Sequence, residues 1–266
     1  MLAADISHPI GLFSVTHIIF MAVIWLGAVF FAVFFARKFG YSKKLVWICT
    51  FLGLFCEIEK ILFFMQETAG GYRLPAEHIP INMCPFQIFF MLALALAENP
   101  QKCKTILCYM YPSMIGGGFI GMLIPSVIIQ GYHGLTEFST YRYFFFHGMI
   151  IFMGFYLFLS KPIRYTIKSY GTAIVFVFMT VLCSIWVNAF FGWDPTVNFW
   201  FIVRPPAENL PVLNLDHGWA IYVLQLIWIC LLLFTLCYLP VIIRDMPGLI
   251  KKIKEKLTVK KSAAPS

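Results

Sequence analysis

Long apolar runs broken by short polar and basic segments set the pattern of the chain. Seven runs stand out, at Ile10–Ala36, Leu45–Gln66, Ile81–Ala97, Thr105–Gln130, Tyr143–Leu159, Tyr170–Phe191 and Gly218–Ile242. Each is about twenty residues long, which as a helix crosses the roughly 30 Å hydrocarbon core of a bilayer. Hydrocarbon offers backbone N–H and C=O groups no water partner, so each run is expected to be an α-helix. The pattern predicts an all-α polytopic membrane protein with seven transmembrane helices in one domain, residues 1–243. A basic amphipathic tail, residues 244–266, follows it. The connections are short except between Gly192 and His217, and no internal repeat or second soluble domain is evident. The first run lacks a basic leader and is too long for a signal-peptide core, so it reads as a retained span.

Charge orients this pattern. Arg37, Lys38, Lys43 and Lys44 lie in the first loop, Lys102 and Lys104 in the third, and Lys161, Arg164 and Lys168 in the fifth. With the seven basic residues of the tail, sixteen fall on one side and only Arg73, Arg142 and Arg204 on the other. The positive-inside rule places the N-terminus outside and the C-terminus in the cytoplasm.

Composition narrows the class. The chain is 61% hydrophobic and 12% charged, with a mean hydropathy of +0.83. Soluble domains carry roughly a quarter charged residues. That excludes a soluble enzyme, a disordered chain and a disulfide-stapled secreted module. The net charge of +8 belongs to loops and tail, not to a basic and aromatic face, so no nucleic-acid partner is expected. Six of the eight cysteines (Cys49, Cys56, Cys108, Cys183, Cys230, Cys237) sit within apolar runs, where a free thiol packs as a small hydrophobe. No Cys-x-x-Cys pair occurs, and neither a metal site nor a cofactor is expected. In the fourth run, Gly116, Gly117, Gly118 and Gly121 include a small-xxx-small pattern, read as close helix packing within the bundle rather than as a dimer motif. After Pro247 and Gly248, Leu249, Ile250, Ile253 and Leu257 recur at helical spacing among lysines. The segment suits either the anionic inner leaflet or a solvated basic end.

Ionisable groups inside spans are expensive, and here most fall in one layer, the outer third. The second run carries Glu57, Glu59 and Lys60 beyond its midpoint. Cys84 and Gln87 open the third, Arg142 and His147 the fifth, and Asn188 lies near the outer end of the sixth. Glu57 and Lys60, three apart, can pair on one helix face. Glu59 points elsewhere, toward a cation for which Arg142 is a candidate. Cys84 directly precedes Pro85, a residue favoured at the first helical position, so Cys84 is expected at the N-cap. The helix dipole there favours a thiolate, and the Phe86 and Gln87 amides could face an oxyanion. His147, at similar depth, is the candidate base. A nucleophile at this depth meets phospholipid ester carbonyls without drawing the lipid from the bilayer. Cys84 attack would give a thioester, resolved by a second alcohol, with His147 moving the proton. Arg142, or Arg204 in the long sixth loop, could hold a phosphate. A lipid hydrolase differs only in resolution by water. From another class, a proton-coupled transporter or solute-binding protein would use Glu57, Glu59, Arg142 and His147 as its polar cluster.

The segments Pro80 to Gln87, Tyr141 to Gly148, Trp186 to Asn188 and Asn198 to Pro205 resemble the YwaF family, whose eukaryotic relative is transmembrane protein 164. The likeness runs from about Leu45 to Tyr222. It implies a seven-helix bundle and, from the eukaryotic relative, a phospholipid acyltransferase with an acyl-cysteine intermediate. Matched onto this chain, the family's cysteine falls on Cys84 and its histidine on His147. Glu57, Arg142, Asn188 and Asn198 match recurrent polar positions. Phe199 and Trp200 depart from the Tyr-Met expected after the asparagine, which bears on loop-borne specificity. The implied setting is a bacterial cytoplasmic membrane, with the site toward its outer side.

Overall fold

The computed structural model describes residues 11–68, 71–125, 137–194, 196–206, 210 and 212–262. It is all-helical apart from one small hairpin, with 77% of residues in helix. Among the described residues there are seven α-helices: α1 (Val15–Phe39), α2 (Lys43–Phe64), α3 (Met83–Leu96), α4 (Lys104–Leu123), α5 (Phe138–Ser160), α6 (Ile167–Phe190) and α7 (Trp219–Ser262). Five of them, α1 and α4 to α7, are long and apolar enough to cross a membrane. The α2 helix has 22 residues but carries a buried charge cluster, and α3 has only 14.

The α4 helix is the axis of the bundle. It packs against α3, α5, α6 and α7, while α2 lies on α3 and α5, and α1 lies along α5. Its glycines make this possible. An added methyl at Gly118 would come within 2.5 Å of Ile151 Cγ1, and one at Gly116 within 3.5 Å of Leu233 Cβ. The small-residue stripe therefore serves packing inside the chain. Pro112, inside α4, leaves the Cys108 carbonyl without its helical donor. The Tyr238 hydroxyl of α7 donates to that carbonyl at 2.8 Å. A second cross-tie holds the α1–α2 turn, where the Tyr156 hydroxyl donates to Gly40 O at 2.7 Å and accepts from the Ser42 amide.

One expectation, a helix break at Pro247 and Gly248, is corrected. The chain does not break at Pro247 and Gly248: α7 continues through both to Ser262, since a proline removes one N–H and bends a helix without necessarily ending it. The connection after α2 carries structure of its own. It forms an antiparallel hairpin, β1 (Gln66–Thr68) with β2 (Gly71–Arg73), then a 3-10 turn at Ala76–His78. The outer end of the fourth run, residues 126–130, lies outside the described residues, as do the side chains of Leu249 and of the tail from 251 onward.

Candidate active site

Cys84 is the second helical residue of α3, not its cap. Asn82 takes the cap with an extended backbone (φ −62°, ψ 156°). Pro85 is then the third helical residue, where a missing N–H is harmless because first-turn N–H groups lack intrahelical acceptors. The shift also moves the oxyanion donors. The Phe86 amide already donates to the Asn82 carbonyl at 3.0 Å, and the Gln87 amide lies deeper in the helix. The amides of Met83 and Cys84 are left without an acceptor among the described residues. Asn82 uses its side chain elsewhere: Oδ1 accepts from the Trp200 amide at 2.9 Å, and the Trp200 indole N–H donates to Ile81 O at 2.8 Å.

The wall opposite Cys84 is α4. A methyl on Gly117 would lie 2.6 Å from Met83 Cε and 3.7 Å from Cys84 Sγ. One on Gly121 would lie 2.6 Å from His147 Nε2. Gly117 and Gly121 are one turn apart on the same face, so the thiol and the imidazole sit against neighbouring turns of one glycine seam. No hydrogen bond joins the two side chains. His147 Nδ1 is 2.8 Å from the carbonyl of Tyr143. A carbonyl only accepts, which assigns the ring proton to Nδ1 and leaves the basic lone pair on Nε2, the nitrogen at Gly121.

Below Cys84 the seam continues. Gln87, three residues on and hence on the same side of α3, donates from Nε2 to Ser113 Oγ at 3.0 Å. The Ser113 hydroxyl in turn faces Tyr109 O at 2.8 Å. Gln87 Oε1 is buried with no partner among the described residues.

The charges lie to the α2–α5 side. Glu57 pairs with Lys60 on α2, and Glu59 pairs with Arg142 of α5. The first pairing follows from the i, i+3 spacing on one helix, and the second joins two helices. They also bear on the anticipated phosphate role of Arg142. Its guanidinium is committed to a carboxylate, and the residue is only 7% exposed. Arg204 is exposed, on the loop after α6. The two asparagines expected as polar support build that loop. Asn188 Nδ2 donates to Ser184 O (2.7 Å) and Phe199 O (3.0 Å), and its Oδ1 accepts from the Phe199 amide. Asn198 closes a turn by donating to Arg204 O at 2.8 Å and accepting from Val203 N. These bonds satisfy both amide groups, so each asparagine acts on the site through the loop. Trp200 and Phe201 adopt left-handed backbone (φ 59° and 56°). They are held there by Asn82, Ile81 and the Tyr222 hydroxyl, which donates to Phe201 O.

Sequence reasoning missed Tyr143, Ser113, Asn82 and Trp200. For Tyr143 a signal was present, since it lies four residues before His147 and shares its helix face. Among the described residues, no group of three His, Cys, Asp or Glu side chains is arranged to hold a metal ion.

A model of the TMEM164 family matches residues 12–238. The chain belongs to the TMEM164 family. The match spans α1 to the first half of α7 and includes every site residue named above, while the basic end beyond residue 238 lies outside it. No curated protein and no solved structure shows significant similarity to the chain. This TMEM164-family bundle thus brings the expected cysteine and histidine to one seam of its central helix.

Proposed function

We propose that this TMEM164-family protein is a membrane-embedded phospholipid acyltransferase working through an acyl-Cys84 intermediate. The single observation that carries the reading is the placement of Cys84 Sγ and the unprotonated Nε2 of His147 against adjacent turns of the Gly117–Gly121 seam. Nε2 takes the thiol proton as Sγ attacks the ester carbonyl of a phospholipid. The tetrahedral oxyanion is met by the Met83 and Cys84 amides at the N-terminus of α3. The C–O bond then breaks, the lysophospholipid oxygen leaves with the proton held on Nε2, and a thioester remains. An incoming alcohol gives its proton to Nε2, attacks the thioester carbonyl, and the C–S bond breaks. The sulfur recovers the proton, closing the cycle. Water in place of the alcohol gives the hydrolase variant. Catalytic hydrogen bonds are often long in unliganded sites and tighten in the complex, which accommodates the missing Cys84–His147 bond.

In this reading α2 and α3 cross the membrane with the other five helices. The N-terminus is outside, the basic end is cytoplasmic and the seam faces the outer leaflet of a bacterial cytoplasmic membrane. The transport reading has less support, because three of its four residues are engaged in ion pairs beside α2. The test is incubation of purified protein with acyl-labelled phospholipid. Wild type is expected to carry a hydroxylamine-sensitive adduct, His147→Ala to form it far more slowly, and Cys84→Ala to form none. An adduct retained in Cys84→Ala removes the nucleophile assignment. Proton-coupled solute uptake indifferent to Cys84→Ala would favour the transporter.

A further inference from the structure

Tyr143 touches the candidate base in three ways. Its carbonyl accepts the His147 Nδ1 proton at 2.8 Å. Its ring lies against the imidazole, with centroids 4.1 Å apart and planes at 34°. Its hydroxyl donates to the Gly121 carbonyl at 2.7 Å. Gly121 is also the residue whose missing side chain makes room for Nε2. One residue thus fixes the tautomer, backs the ring and anchors α5 to the α4 turn that the base faces. Among the described residues, the other buried histidine is held differently. His17 receives the Phe13 amide at Nδ1 and approaches Met122 O with Nε2 at 2.8 Å, so both ring nitrogens are occupied and none is free for proton transfer. Of the two, only His147 keeps a basic nitrogen free, and Tyr143 is what keeps that nitrogen turned to the seam.

We infer that Tyr143 is a positioning residue that holds His147 Nε2 toward Cys84 by tying α5 to the Gly121 turn of α4. The inference rests on the acyl-transfer reading above and goes beyond it by assigning the element that orients the base. A ring nitrogen displaced by about an ångström from its productive place loses a large part of its catalytic effect, roughly a hundredfold. Tyr143→Phe keeps the ring and the carbonyl and removes the hydroxyl that ties to Gly121.

The experiment measures thioester formation at varied phospholipid concentration for wild type, Tyr143→Phe, His147→Ala and the double variant. Thermal unfolding midpoints are recorded for each. The two His147→Ala proteins are read at alkaline pH, where the thiolate needs no base. Tyr143→Phe is expected to lower kcat about ten- to a hundredfold with KM unchanged and an unfolding midpoint close to wild type. On the His147→Ala background, the same substitution is expected to change nothing, because a positioning residue has no effect once its target is gone. An equal loss on both backgrounds, or no loss on the wild-type one, overturns the assignment while leaving the acyl-cysteine in place. A wild type that forms no adduct removes the acyl-transfer reading and the assignment with it.

Discussion

At Gly121 a single hydrogen atom in place of a methyl decides whether the base can approach α4. The missing Cβ would fall 2.5 Å from His147 Cδ2 and 2.6 Å from Nε2, inside any tolerable contact. Gly121→Ala is therefore expected to push the imidazole off the seam. Its predicted effect is a loss of thioester formation of roughly a hundredfold, with overpacking costing about 1–3 kcal/mol of stability. Gly171→Ala, with nothing within 4 Å of the new atom, is the control and is expected to leave both unchanged. Adduct formation and detergent-solubilised unfolding, measured together, check the pair; normal labelling in Gly121→Ala would contradict the packing argument. Cys84 and His147 were legible in the sequence because a polar group in an apolar run needs a reason to be there. Tyr143 was not, because it acts through a carbonyl, a ring face and a distant backbone oxygen, none of which the residue type announces. The cap assignment missed by two residues for a related reason. Proline is tolerated throughout a first turn, so Pro85 marks a helix start without fixing its register.

Between elements, the Glu59–Arg142 pair is the polar joint of α2 with α5, five residues before His147 on α5. Arg142 is buried and Glu59 half-buried, so removing Glu59 leaves a buried cation uncompensated, at a cost below the roughly 3–5 kcal/mol of a fully buried pair. Glu59→Gln and Arg142→Gln are each expected to destabilise the protein strongly. The double variant should lose less than the two single losses combined, and unfolding in detergent across the four proteins gives the coupling. Additive losses would mean that the pair does not join the helices. The hairpin and 3-10 turn above α2 make a second joint, since the His78 ring stacks on Phe64 with centroids 3.7 Å apart. Burial lowers the His78 pKa from its ordinary 6.5, and the nearby Lys60 and Arg142 lower it further, against an opposing contribution from Glu77. In the window between 6.5 and that lowered value, the undocked segment binds a proton that the docked one does not. Docking therefore weakens as pH falls through the window, and levels off below it. Amide exchange over residues 72–79, corrected for its intrinsic pH dependence, should accelerate on acidification in wild type. It should not do so in His78→Phe, which keeps the stacking and cannot titrate. The helices were readable from runs of apolar residues, but this joint was not. A three-residue strand pair carries too little periodicity to stand out, and ring stacking across a turn leaves no pattern in the chain.

Across the whole molecule, hydropathy gives the helices but not their crossing. The carboxylates of α2 are paired, Glu57 by Lys60 of the same helix and Glu59 by Arg142 of α5. A count of charges along the chain penalises it for residues the bundle has already paired. The α3 helix falls short for another reason. Fourteen residues rise about 21 Å, less than the roughly 30 Å hydrocarbon core. Along the seam Cys84 meets Gly117 while His147 meets Gly121, a turn closer to the α4 end. The loop that Asn188 and Asn198 fold lies against the α3 start, with Trp200 bonded to Ile81 and Asn82. The asymmetry of basic residues predicts a direction for this arrangement. Tyr72 and Thr196 lie at the end that carries the hairpin and the Trp200 loop, Lys102 and Lys161 at the opposite end, and all four are exposed. Cysteines placed at Tyr72 and Thr196 are expected to react with a membrane-impermeant maleimide on intact cells. Those at Lys102 and Lys161 should react only after permeabilisation. The reverse pattern would turn the seam toward the inner leaflet, and the lipid esters within reach of Cys84 would then be those of the cytoplasmic face.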